Sequence, residues 1–317
     1  MAEHLNQILN LRMTRRGVVS GGVSLAASTA LGCSPSTMAS NLGSNVETST
    51  PPTRGFEEVR QGYDGGVHWP QDTHVCDLVV SWGDPILPGA PSWEEGRTTA
   101  TAQAQQFGDA NDFLAFLPLP KGSKNSDHGL LVANHEFTSP RTMFVGHEGP
   151  LGADQIRTEM VGHGMSVVEV KRTDVGWGVV SDSVYNRRIT LHTPFDLTGP
   201  AAGSERLRTA ADIEGKRVLG TMGNCAGGVT PWGTVLSGEE NVQVYWSGDP
   251  KSGTTEQQQR SFGAMSIGES VLYKFADVDS RFDLKESPNE PNRFGWVVEV
   301  DPYDPTSTPK KHTALGR

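Results

Sequence analysis

Hydrophobic positions in this chain fall in short runs, each closed off by Gly, Pro, Asp or Asn, and that punctuation predicts strands. The stretches that qualify are Asp77 to Trp82, Asp112 to Pro118, Gly129 to Asn134, Ser166 to Lys171, Gly176 to Ser181, Gly233 to Ser237 and Gly295 to Val300. Helical spacing is confined to Ala153 to Val161. The pair Ser166 to Lys171 and Gly176 to Ser181, joined through Arg172-Thr173-Asp174-Val175, reads as a β-hairpin.

Two strand types recur. Val167-Val168-Glu169-Val170 returns as Val297-Val298-Glu299-Val300, each copy after a glycine and before a turn-prone stretch. GLLVANHE, from Gly129 to Glu136, and GTVLSGEE, from Gly233 to Glu240, both run from a glycine through an apolar strand to a glutamate. Recurring strands predict an all-β fold built as the blades of a β-propeller. Inner strands of a propeller converge on a central channel, so acidic residues at equivalent strand ends would gather there and hold cations.

Composition supports this picture and narrows the function. The 37 Gly and 20 Pro suit a turn-rich β protein, and a chain of 317 residues with 35% hydrophobic residues can bury a core. A formal net charge of -10 without a Lys/Arg patch argues against nucleic-acid binding. Cys33, Cys76 and Cys225 are too few for a disulfide scaffold, though one bridge could form.

The first residues read as an address. Arg15 and Arg16 precede a small-residue apolar stretch, Ser20 to Leu31, that is too short to span a bilayer, the layout of a twin-arginine export signal. Residues 1–33 are therefore expected to engage the twin-arginine translocase and deliver the protein to the periplasm or beyond. Ala30-Leu31-Gly32-Cys33 is similar to a lipobox, in which Cys33 would carry a lipid anchor; a lipoprotein and a free periplasmic protein both stay open. Residues 34–54 form a Ser/Thr/Pro/Asn spacer, leaving 55–317 as the folded domain.

The strongest chemical signal is Asn224-Cys225-Ala226-Gly227-Gly228, followed after a short strand by Glu239-Glu240-Asn241. One soft thiolate beside clustered carboxylates places iron-type and calcium-type ligands within reach of each other. Asn134-His135-Glu136 supplies a second cluster at a matching strand end. The bland alternative makes Cys225 a small core residue and the glutamates solvated.

The runs NCAGGVTPWGTVLSGEEN, LLVANHE and FGWVVEVDPYDP, with TALGR near the end, closely resemble the PhoX-type alkaline phosphatases, over roughly Gly62 to Arg317. That resemblance implies a propeller with Fe3+ and Ca2+ on its axis and hydrolysis of phosphate monoesters. Cys225 matches the iron-bound cysteine, Glu240 or Glu239 a carboxylate of the metal site, and Asn134 and Glu136 weaker matches; Cys225 and Glu240 are the expected catalytic pair. Gly238 stands where the family commonly has a cysteine. Family members continue past TALGR into a His-Glu motif and further acidic ligands, so the resemblance implies a truncated propeller with part of the metal cage missing. A calcium-dependent lactonase, a noncatalytic propeller and an inactive truncated relative are the alternative readings.

Overall fold

Among the residues that the computed structural model describes, 77–268 and 271–316, strands dominate and helices are few. The expected export signal, spacer, Cys33 and Cys76 lie outside the described residues. Cys225 is buried, 8% exposed.

The strands form two separate sheets. In the first, β1 (Asn111–Pro118), β2 (His128–His135), β3 (Gly164–Thr173) and β4 (Gly176–Val179) follow one another as an antiparallel meander, with β5 (Arg187–Ile189) also paired to β3. In the second, β8 (Asn224–Val229), β9 (Val235–Glu239), β10 (Trp296–Val300) and β11 (Lys310–Gly316) repeat that meander. The hairpin of β6 (Pro194–Thr198) and β7 (Arg217–Leu219) extends it through a parallel pairing of β6 with β11. Neither sheet closes on itself, so the described residues show two open sheets where a propeller was expected.

Alternation along each strand sends side chains to opposite faces. From β3, Met165 and Val167 enter the large core with Leu130, Val132, Ile156 and Phe195, whereas Val168 and Val170 pack on the far side with Ile86, Phe107 and Ala133. The first sheet is thus covered on both faces. Aromatic rings from the segments between β9 and β10 fill the rest of the large core, with Tyr245 stacked on Tyr273 at 4.8 Å.

The two copies of VVEV prove structurally alike. Glu169 on β3 receives His128 Nε2 at 2.7 Å and the Ser183 hydroxyl at 2.5 Å. Glu299 on β10 pairs with His312 Nε2 at 2.7 Å and accepts the Thr234 hydroxyl at 2.6 Å. Each meander therefore carries a His-carboxylate-hydroxyl clasp on the strand that the repeat identified.

Several sequence expectations shift. Asp77 to Trp82 is not a strand; Gly83 turns the chain back, its N–H bonded to Phe107 O, and Val79 and Val80 pack as a loop against the small core. Arg172 and Thr173 join β3, which shortens the expected hairpin connection to Asp174-Val175. The expected helix is present as α3 (Ala153–Gly162), after short helices α1 (Ala100–Gln103) and α2 (Pro140–Met143). A further helix, α4 (Glu256–Ala264), starts at a capping box in which Thr255 accepts from Gln258 N while the Gln258 side chain accepts from Thr255 N.

Candidate metal centre

The two meanders meet where β8 packs against β1 and β2. Each outer strand has a bulge at that end. In β1–β2 the pairing Leu114 with Ala133 slips by one residue before Asn111 meets His135, and in β8–β9 the pairing Gly227 with Ser237 slips likewise before Asn224 meets Glu239. A bulge bends its strand and re-aims the side chains within it. Asp112 and Cys225 occupy corresponding places in these two bulges.

Packing fixes the approach. A Cβ on Gly227 would lie 2.5 Å from the Phe113 ring, so only glycine lets β8 come this close to β1. Gly223, at φ +63°, turns the chain into β8, and its carbonyl accepts Glu240 N at 2.8 Å; a Cβ there would collide with the Glu240 carbonyl.

Among the described residues, Asp112, Glu136 and Cys225 bring one ligand atom each to within 4.8 Å of one another. The Cys225 thiol donates to Asp112 Oδ2 at 3.1 Å, and Glu240 is hydrogen-bonded to the same sulfur. Burial is graded: Asp112 is exposed, Cys225 is 8% exposed and Glu136 4%. Burial, the hydrogen bonds to Glu240 and Asp112, and the charges of Glu136 and Glu240 push the Cys225 thiol well above its usual range. A carboxylate-crowded sulfur resists ionising on its own, and a multivalent cation reverses that by neutralising the crowd. The donor set fits such an ion: one thiolate for a transition metal and several oxygens for a hard cation.

The sequence candidates divide. Cys225 lies with Glu136 in the cluster, and Glu240 is hydrogen-bonded to the Cys225 sulfur. Asn134 stands beside them: its Nδ2 donates to the Cys225 carbonyl at 2.7 Å, tying one meander to the other, while its buried Oδ1 has no hydrogen-bond partner and keeps lone pairs for a cation. Glu239 is not brought to the cluster. Its Oε1 accepts Lys311 Nζ at 2.6 Å and Thr221 Oγ1 at 2.9 Å, and its Oε2 accepts Gly295 N at 2.9 Å and Trp296 N at 3.2 Å.

Sequence reasoning missed Asp112. Its signal was present, since Asn111-Asp112 opens a strand as Asn224-Cys225 does, but an aspartate in place of a cysteine hides the match. His135, in the run Asn134-His135-Glu136, has its ring nitrogens on Asp109 O at 3.1 Å and Ser166 Oγ at 2.7 Å. Burial, aided by the nearby Arg188 charge, holds His135 neutral to well below the usual imidazole range.

Behind β2 lies a second buried polar group. Thr138 donates its hydroxyl to Glu159 Oε1 at 3.0 Å and its N–H to Tyr273 Oη at 3.2 Å. Burial raises Glu159 to about 7 and lowers His163 to about 4.

A family model described as alkaline phosphatase PhoX matches residues 54–317. A solved structure of Pseudomonas fluorescens PhoX in complex with vanadate, a transition-state analogue, is 40% identical with a TM-score of 0.69. The alignment covers 76% of this chain and 41% of that one, so the chain spans under half the length of that relative. No curated protein matches the chain. With a family match over most of its length and a solved relative 40% identical, the chain belongs to the PhoX alkaline phosphatase family.

Proposed function

We propose that this chain serves as a metal-dependent phosphomonoesterase that releases inorganic phosphate from phosphate monoesters outside the cytoplasm. The observation that carries the reading is the convergence of Asp112, Glu136 and Cys225 from two separate sheets onto one point, with Glu240 hydrogen-bonded to the Cys225 sulfur, in a chain of the PhoX family. Binding of vanadate by the Pseudomonas relative supports phosphoryl chemistry in the family.

In this reading Cys225 holds iron as Fe3+ through its thiolate, and Asp112, Glu136 and Glu240 hold iron or Ca2+ through carboxylate oxygens, with Asn134 Oδ1 as a further oxygen donor. Bound cations neutralise the charge of a phosphate monoester and of its transition state. The protein's part is placement. The two bulges aim Asp112 and Cys225, the Asn134 amide fixes the Cys225 backbone, and the exposed Asp112 side leaves an approach for an anionic substrate. Recognition of the phosphoryl group alone suits a broad range of esters.

The wider expectations belong to the same proposal. The repeated meander with its repeated clasp supports reading the sheets as blades of a propeller. The paired Arg15 and Arg16 support export by the twin-arginine translocase, with Cys33 the candidate for a lipid anchor.

The test is hydrolysis of p-nitrophenyl phosphate by the 317-residue chain with iron and calcium supplied. Phosphate release that chelation abolishes and that Cys225→Ser lowers at least about a hundredfold, ~2.7 kcal/mol of barrier, supports the reading. Turnover that survives either treatment overturns it.

A further inference from the structure

Glu239 sits one residue before Glu240 and resembles a ligand in sequence, yet every contact it makes is to the protein. Both of its oxygens accept two hydrogen bonds, from Lys311, Thr221, Gly295 and Trp296. A carboxylate so committed has little left for a metal. Its partners come from the loop before β8, the start of β10, and β11. The Lys311 and Glu239 side chains have no solvent exposure at all, and the Lys311 ammonium lies 3.7 Å from the centre of the Phe294 ring.

The links run onward to both metal-facing residues of this meander. Thr221 Oγ1 is also 3.0 Å from Asn224 Oδ1, and Asn224 Nδ2 donates to Ser237 Oγ at 3.0 Å. Asn224 immediately precedes Cys225, and Glu240 immediately follows Glu239. One hydroxyl proton can serve only one acceptor at a time, so Thr221 bridges the Glu239 and Asn224 side chains as a shared donor.

We propose that Glu239, Lys311 and Thr221 form a positioning unit that holds Cys225 and Glu240 at metal-binding distance, with Glu239 itself outside the coordination sphere. This rests on the metal-centre reading above. Buried ion pairs seldom add net stability over apolar residues of the same volume. What this pair does supply is direction: a fixed anion that accepts four donors pins three chain segments at one point behind the cluster.

Co2+ binding by the full chain reads this out through the sulfur-to-cobalt absorption band, independent of turnover. Cys225→Ser must abolish the band; a band that persists would overturn the metal-centre reading itself. With that control in place, Thr221→Val, which keeps volume and loses the hydroxyl, should weaken Co2+ binding about three- to tenfold, and Thr221→Ser, which keeps the hydroxyl and loses a methyl, should bind as the parent does. A packing role gives the opposite order and overturns the proposal. The neutral pair Glu239→Gln with Lys311→Met should fold, as judged by circular dichroism, and bind Co2+ at least about tenfold more weakly while keeping a weaker sulfur band. Parental affinity in that folded double variant also overturns the proposal. Should the double variant not fold, the Thr221 pair decides alone.

Discussion

In the β1–β2 hairpin the residue before the glutamate at the strand end is His135, kept neutral by burial and by the Arg188 charge; in β8–β9 it is Glu239, bound to a buried lysine. Both hairpins bulge at the same place, both put an acid or a thiol in the bulge, and both end on a glutamate. The shared backbone device needs a buried polar anchor behind it, and either chemistry satisfies that need. A neutral ring asks only for two hydrogen-bond partners. A carboxylate needs a compensating charge, and Lys311 on β11 provides it. The difference teaches that geometry at the site follows from the bulge, whereas sensitivity to mutation and pH follows from the anchor.

The largest effect should come from removing the compensating charge. Lys311→Met leaves Glu239 buried without its cation, and we expect a loss of about 3–5 kcal/mol in urea unfolding. His135→Gln, which keeps a polar group for Ser166, should cost only about 1–2 kcal/mol. Equal losses would break the contrast between the anchors.

Next is a pH effect confined to the β1–β2 side. Glu159, bonded to Thr138 two residues after Glu136, has its carboxyl raised from 4.5 to about 7 by burial. Between those values the folded protein keeps a proton that the unfolded chain has released, so this group makes stability fall as pH rises from 4.5 to 7. Glu159→Gln removes that slope. Relative to the parent, the variant should be unchanged near pH 4 and gain on the order of 3 kcal/mol by pH 8. His163, lowered to about 4, contributes in the opposite direction over an overlapping range, which is why the comparison must be variant against parent at each pH.

The smallest test concerns the meeting of the hairpins. Gly227→Ala drives a methyl into the Phe113 ring and should cost about 1–3 kcal/mol. Leu114→Ala, at the corresponding place in β1 but 55% exposed, should stay within about 0.5 kcal/mol of the parent. Thermal midpoints of the two variants suffice; a tolerated alanine at Gly227 would mean that β8 is free to move away from β1.

Much of the candidate site could be read in advance because its side chains lie at strand ends inside repeated motifs. The matched pair GLLVANHE and GTVLSGEE placed Glu136 and Glu240 at equivalent ends, and the two hairpins pair in the same register, with His135 matching Glu239. The third strand does not follow the same register. Val132 faces Val167, whereas its counterpart Leu236 faces Glu299 rather than Val297. A slide of two residues keeps every side chain on its own face, so the pattern alone cannot detect it. The strands β5 to β7 escaped notice because they are short and mixed in character.

Local sequence thus determined the β-rich character, the recurrence of two strand types, the existence of the β3–β4 hairpin and the candidates Cys225 and Glu136, because alternation, turn residues and residue type are properties of neighbouring positions. Tertiary structure alone decided that Asp112 joins the cluster, that Asn134 ties the sheets through the Cys225 carbonyl, and that Glu239 turns away to Lys311. Each of those outcomes depends on a contact between distant segments. Whether a glutamate meets the cluster or a lysine depends on which segment is packed behind it, and Glu239 at the end of β9 and Glu240 just beyond it meet different neighbours.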